Sequence, residues 1–141
     1  MIDHAAGRAK LAEICRLAVD GVTVDGQAVT VYESAIDAQP TFPLIAIGLP
    51  RWTPNVGPCM DRSQIPIAVV VKQPGGDASH QQDELERIWQ LVVAALTAAF
   101  GADQNLGGLC HWSEIERSLP GQFRLQGHEY PAQTILTNLD G

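Results

Sequence analysis

The stretch IPIAVVVKQPGGDASHQQDELERIWQLVVAALTAAFG, Ile65 to Gly101, constrains the fold more than any other part of the chain. Ile65, Ile67, Val69 and Val71 alternate with Pro66, Ala68, Val70 and Lys72, the period-two pattern of a strand with one strongly apolar face. Pro74-Gly75-Gly76 then breaks the chain. Ser79 with Gln82 forms a capping-box signature, and Asp83, Glu84 and Glu86 place negative charge where a helix dipole favours it. Leu85, Ile88, Trp89, Val92, Val93, Leu96, Ala99 and Phe100 follow at helical spacing, with Gly101 placed to end the helix. A one-sided strand and a helix with a continuous apolar stripe bury both surfaces when the helix packs across a sheet.

The flanking segments supply the other elements. Asp3 is positioned to cap a first helix over about residues 4–20, with Leu11, Ile14, Cys15 and Ala18 on one face and Gly21 as its stop. Asp25-Gly26 is a turn signal, followed by a short strand in which Val29 and Val31 face one way and Thr30 and Tyr32 the other. Phe42 to Leu49 reads as a second strand, bounded by Pro40 and Pro50, apolar enough for both faces to be covered or for one to meet a neighbouring subunit. Pro54, Gly57 and Pro58 predict a long irregular loop over 50–64, and loops of roughly fifteen residues in a compact domain are commonly functional. Trp52 and Met60 in it are read three ways: a plug on the chain's own domain, a subunit contact, or a lid over a small ligand. Further on, Cys110 to Arg117 and Glu129 to Leu139 read as strands separated by a bend at Pro120-Gly121. The expected fold is one α+β domain over 1–141, an antiparallel or mixed sheet of about four to five strands with two main helices packed on one face.

Composition excludes several function classes. A chain of 141 residues, 45% hydrophobic and 18% charged, suits a single globular core. Its longest apolar run, Leu91 to Phe100, is far short of the roughly 20 residues that span a bilayer, and the N-terminus lacks the apolar region of a secretory signal, so a cytosolic product is expected, with no membrane partner. Cys15, Cys59 and Cys110, odd in number and widely spaced, read as reduced, buried small hydrophobes. Of the net charge of −7, residues 77–141 hold nearly all, with nine acids against three bases. Neither half carries a Lys/Arg cluster, which argues against direct nucleic-acid binding, whereas an acidic wall repels a passing duplex and keeps it from sticking.

No arrangement of side chains points to catalysis. Cys110-His111 with His128 invites a nucleophile–base or, with Cys59, a metal reading, but CxxC, HxxxH and HExxH spacings are missing and strand neighbours face opposite ways. His4 and His80 sit near helix starts as neutral or solvent-exposed imidazoles, and Gly75-Gly76 lacks a phosphate-binding pattern and is followed by Asp77. The expectation is a non-enzymatic protein without cofactor or metal.

The order of elements resembles the tail terminator (tail completion) proteins of long-tailed bacteriophages and prophages. The resemblance rests on the N-terminal helix, VTVYESAIDAQPTFPLIAIG, the irregular segment after it, the Ile65–Gly101 unit and the closing HEYPAQTILTNL, and covers roughly residues 5–140. The chain departs from that family at Pro50 to Gln64, proline-rich where a plain β-hairpin arm is expected. The resemblance implies a virion structural protein of the tail neck, made in the host bacterial cytoplasm. It would assemble as a ring, usually of six copies, on the finished tube, stop tube growth and present the head-joining surface. Its partners would be itself, the tail tube protein and the head–tail connector, with DNA passing through. A closing ring needs a heterologous interface, and Phe42, Trp52, Met60 and Trp112 are its candidate residues. The alternative is a small α+β ligand-binding or regulatory domain, with the ligand between the long helix and the segment bearing Trp52 and Met60.

Overall fold

The structure, a computed structural model, describes residues 2–34, 40–71 and 78–141. Its first element, α1 (His4–Ala18), begins where Asp3 Oδ1 accepts a hydrogen bond from the Ala6 backbone N–H at 3.1 Å, satisfying a donor that the helix itself leaves unpaired. Leu11, Ala12, Ile14 and Cys15 form its buried stripe. Gly7 lets the helix sit close on the sheet: a Cβ there would lie 3.1 Å from Leu139 Cδ1 and 3.3 Å from Ile65 Cδ1. A two-stranded ribbon follows, β1 (Thr23–Val24) and β2 (Gln27–Ala28), turned by Asp25 and Gly26, both at positive φ as a two-residue hairpin of this hand requires.

Among the described residues the main sheet has six strands, one or two more than the sequence predicts. β3 (Thr30–Tyr32) runs parallel to β4 (Leu44–Ile47), and β4 is antiparallel to β6 (Met60–Val70). β6 is antiparallel to β8 (His128–Asp140), which pairs β7 (Trp112–Leu125) along its whole length. β5 (Arg51–Gly57) pairs the first half of β6, on the side where β4 pairs the second half. The second helix, α2 (Ala78–Ala102), lies with α1 on one face of this α+β sheet. By length and composition α2 could cross a bilayer. Here Leu85, Ile88, Val92, Leu96 and Phe100 are buried against the sheet.

Among the described residues, the opposite face is covered at one end only. Beyond the last β6–β8 pair, Val70 with Ala132, the β7–β8 hairpin bends over β4, so that Phe123 and Tyr130, with Tyr32 and Phe42, close over Leu44, Ala46, Val70 and Ala132. Ile45 and Ile47 point to the helices, so both faces of β4 are buried within the chain.

Four expectations are corrected. Residues 50–64 are not an irregular loop: they are β5, a tight turn at Pro58-Cys59 and the start of β6. Pro54 is tolerated because β5 is an edge strand, where a missing N–H breaks no ladder, and the register shifts between Thr53 and Gly57. The chain does not bend at Pro120-Gly121, which continue β7; the turn is Gln126-Gly127, both at positive φ. β7 ends the strand order β3-β4-β6-β8-β7 and is an edge strand like β5, so Pro120 is tolerated for the same reason. Ser79 lies inside the first turn of α2 and is not its N-cap; residues 72–77, including Pro74-Gly75-Gly76, lie outside the described ones. α2 also runs one residue past Gly101, to Ala102.

Candidate functional site

On the uncovered part of the sheet, the register aligns rows of side chains from edge to edge. One row is Arg51, Gln64, Asn138 and Glu114, one residue each from β5, β6, β8 and β7; the next is Thr53, Arg62, Asp140 and Trp112. The Arg62 guanidinium grips Asp140 through two hydrogen bonds, Nε to Oδ1 at 2.8 Å and the second nitrogen to Oδ2 at 3.1 Å, the bidentate geometry that arginine's planar fork favours. Gln64 donates to Glu116 at 2.6 Å and to Asn138 at 3.3 Å, and Asn138 donates to Glu114 at 3.2 Å. Glu116 reaches this network because β7 carries one extra residue between Ile115 and Arg117. The hydrogen bond to Asp140, opposed by burial and reinforced by the charges of Asp140, Glu114 and Glu116, holds Arg62 more firmly protonated than usual.

The four predicted interface residues separate. Trp52 and Trp112 are exposed, at 51% and 43%, on opposite edges of the sheet. Trp52 shares a row with Ser63, which meets His4 of α1, so Trp52 faces the helix side; Trp112 shares a row with Asp140 and faces the open side. Met60 sits at the β5–β6 turn opposite Gly57. Phe42 is partly buried inside the chain, its ring 5.0 Å from that of Tyr130, so intramolecular packing occupies it. Among the described residues, neither β5 nor β7 has a partner strand along its outer side. Sequence patterning misses the network itself, because Arg62 and Gln64 lie where a loop is predicted.

The cysteine and histidine readings resolve in the same geometry. Cys15 and Cys110 are buried, whereas Cys59, expected to be buried, is exposed at the β5–β6 turn with φ of 57°. A turn needing a left-handed residue places it at the surface whatever its hydrophobicity. Burial pushes the Cys110 thiol up to about 11, with the Asp140 and Asp103 charges adding and the Trp112 backbone N–H opposing. The His111 backbone N–H donates to the Asp140 carbonyl at the end of β8, while His128 begins that strand. Cys110 and His128 therefore lie at opposite ends of β8, and burial disfavours a Cys110 thiolate. His4 Nδ1 lies 2.7 Å from Ser63 Oγ, tying α1 to β6, and His80 Nε2 lies 3.1 Å from Asp25 Oδ1.

Among the described residues no group of three or more His, Cys, Asp or Glu side chains is placed to hold a metal ion. A groove of about 550 Å³ runs between the start of α2 and the β7–β8 pair, lined in part by Gln81, Gln82, Gln122 and Gln133; Trp52 and Met60 do not line it. No protein-family model matches this chain, and no curated protein matches it.

Proposed function

We propose that this chain is the subunit of a tail-terminator ring: copies close around the tip of a phage or prophage tail tube, stop its polymerisation and form the surface that joins the head. The observation that carries this reading is the β5–β6 hairpin. It stands where the sequence departs from the tail-terminator pattern, and a hairpin arm is what that pattern has there. The exposed Trp52 and Trp112 on opposite edges support it further, because a closed ring needs two different, complementary patches on each copy. The chain's charge of −7 favours a subunit that stays soluble before assembly and a ring through which DNA slides without adhering.

Adding the purified protein to tail tubes elongating in vitro tests this directly. Tube lengths shorten with dose and electron micrographs show a ring at the tube tip. Tubes of unchanged length with bare tips at saturating protein would refute the reading.

A further inference from the structure

We infer that copies of this chain join head to tail by pairing β7 of one copy with β5 of the next, so that the sheet continues from subunit to subunit. The inference deepens the ring reading and rests on it for the partner, a second copy of this chain.

Strand direction comes first. Three antiparallel steps, β5 to β6, β6 to β8 and β8 to β7, make β5 and β7 run in opposite directions. A second copy set beside the first, in the same orientation and with its helices on the same side, therefore brings its β5 antiparallel to the first copy's β7. No inversion is needed, which is the condition for a heterologous contact that repeats.

The usable length of each edge comes second. On β5 the ladder is unobstructed until Pro54, which lacks an N–H, and the register shift that follows Thr53. On β7 it is unobstructed from Trp112 until the bulge after Ile115. The free stretches, Arg51–Thr53 and Trp112–Ile115, lie on the same rows of the sheet. Proline and bulge, which blunt an edge against unspecific pairing, here confine pairing to one short segment on each side and so set its register.

The side chains in that register are complementary. The row Arg51, Gln64, Asn138, Glu114 has a cation at one edge and an anion at the other. Within one copy three strand spacings, roughly 14 Å, separate them, and among the described residues Arg51 has no salt bridge. In the continued sheet Arg51 stands opposite the neighbour's Glu114, whose carboxylate keeps acceptor capacity beyond its bond from Asn138. Thr53 then stands opposite Trp112 on the open face, and Trp52 opposite Ser113 on the helix face. One contact covers both exposed edge tryptophans.

The test compares Arg51→Glu, Glu114→Arg and the double variant with the wild-type chain, by light scattering across a concentration series and by electron microscopy. Each single reversal is expected to weaken self-association at least tenfold, and the double variant to restore it, a rescue that misfolding cannot produce. In a Cys59→Ser background, Arg51→Cys with Glu114→Cys is expected to give intermolecular disulfides, since roughly 14 Å within a chain is too far for a bridge. Oligomers of unchanged mass in both single variants without those disulfides, or a chain monomeric throughout without them, would overturn the pairing. If the reversals and cross-links behave as expected but the assembly leaves tube growth unaltered, the ring reading fails and the pairing stands. If both single variants cap tubes like the wild type, the pairing fails and the ring reading stands.

Discussion

The two faces of the sheet are built from the same strands under opposite rules. On the helix side, Ile45, Ile47, Ile65, Ile67, Val69, Ile135 and Leu139 meet Leu11, Ile14, Ile88, Val92 and Leu96, nearly all without exposed surface. The polar groups there are satisfied locally: Ser63 by His4, and Thr137 by donating to the Ile65 carbonyl at 2.8 Å. On the open side, four buried residues lie under an aromatic cover at one end, and a charged network occupies the other. Alternation along β6 alone divides the two roles, with Ile65, Ile67 and Val69 turned to the helices and Arg62, Gln64 and Pro66 turned away. The helix face decides whether the chain folds. The open face holds the polar network that strand register assembles.

The strongest way to break this contrast is a matched pair of truncations on neighbouring β strands. Ile67→Ala, at a side chain with no exposed surface in the helix-side core, is expected to cost about 3–4 kcal/mol, because transfer and cavity terms add. Leu136→Ala, on the half-buried open face, is expected to cost about 1 kcal/mol or less. Urea unfolding curves measure both, and equal losses would show that the open face is covered as thoroughly as the helix face.

Next in size is the Arg62–Asp140 pair. Arg62→Ala leaves Asp140, 6% exposed, without the guanidinium that holds both its oxygens. A loss of about 2–3 kcal/mol is expected, below the full penalty of a deeply buried pair because Arg62 is itself partly exposed. The double variant Arg62→Met with Asp140→Leu is expected to recover most of it, since removing both charges leaves neither uncompensated. A double variant as unstable as the single would mean that the pair sets register and not merely charge balance.

Alkaline titration separates the faces differently. Burial, opposed by the nearby Arg16 charge, pushes the Cys15 thiol on the helix side up to about 12 from an ordinary 9.0. The folded state then keeps a proton that the unfolded chain releases, so this contribution is whole below pH 9 and is lost as pH rises from about 9 towards 12. By pH 10 the Cys15 share of the loss is on the order of 1 kcal/mol. Cys15→Ala, less stable at neutral pH, is expected to lose less on going from pH 8 to pH 10 than the wild type. Parallel losses in thermal melts would remove Cys15 as the cause.

What was legible in the sequence follows the same division. The helix-side pattern is periodic and strong, so α1, α2, the apolar face of β6 and the α+β class are readable from spacing, whereas the apolar run of β4 leaves open whether its own chain or a neighbouring subunit covers it. Both misread strands are edges. Pro54 and Pro120 argue against a central strand, and nothing local reveals that, among the described residues, β5 and β7 each have a single neighbour. Gln126-Gly127 makes a left-handed turn without the usual Asn or Asp, so the louder Pro-Gly signal six residues earlier attracts the expected bend. Arg62, Gln64, Glu114, Asn138 and Asp140 come from three strands, and only the register assembles them into a network.

The smallest effect sharpens the comparison within the open face itself. Tyr130 is half-buried, its ring 5.0 Å from Phe42 and inclined at 51°, a tilted aromatic pair at the bend where the β7–β8 hairpin folds over β4. Such a pair contributes roughly 0.5–1.5 kcal/mol beyond the area it buries. Tyr130→Leu keeps much of the apolar bulk and removes the ring, and is expected to cost about 1 kcal/mol globally. Its local consequence should exceed that: amides of Phe123 and Ala132 exchange faster than in the wild type, while those of Asn138 and Asp140, at the far end of the same strand, keep their rates. Faster exchange along all of β8 would mean that aromatic cover and charged network form one cooperative unit, and the open face would then have to be treated as a single surface.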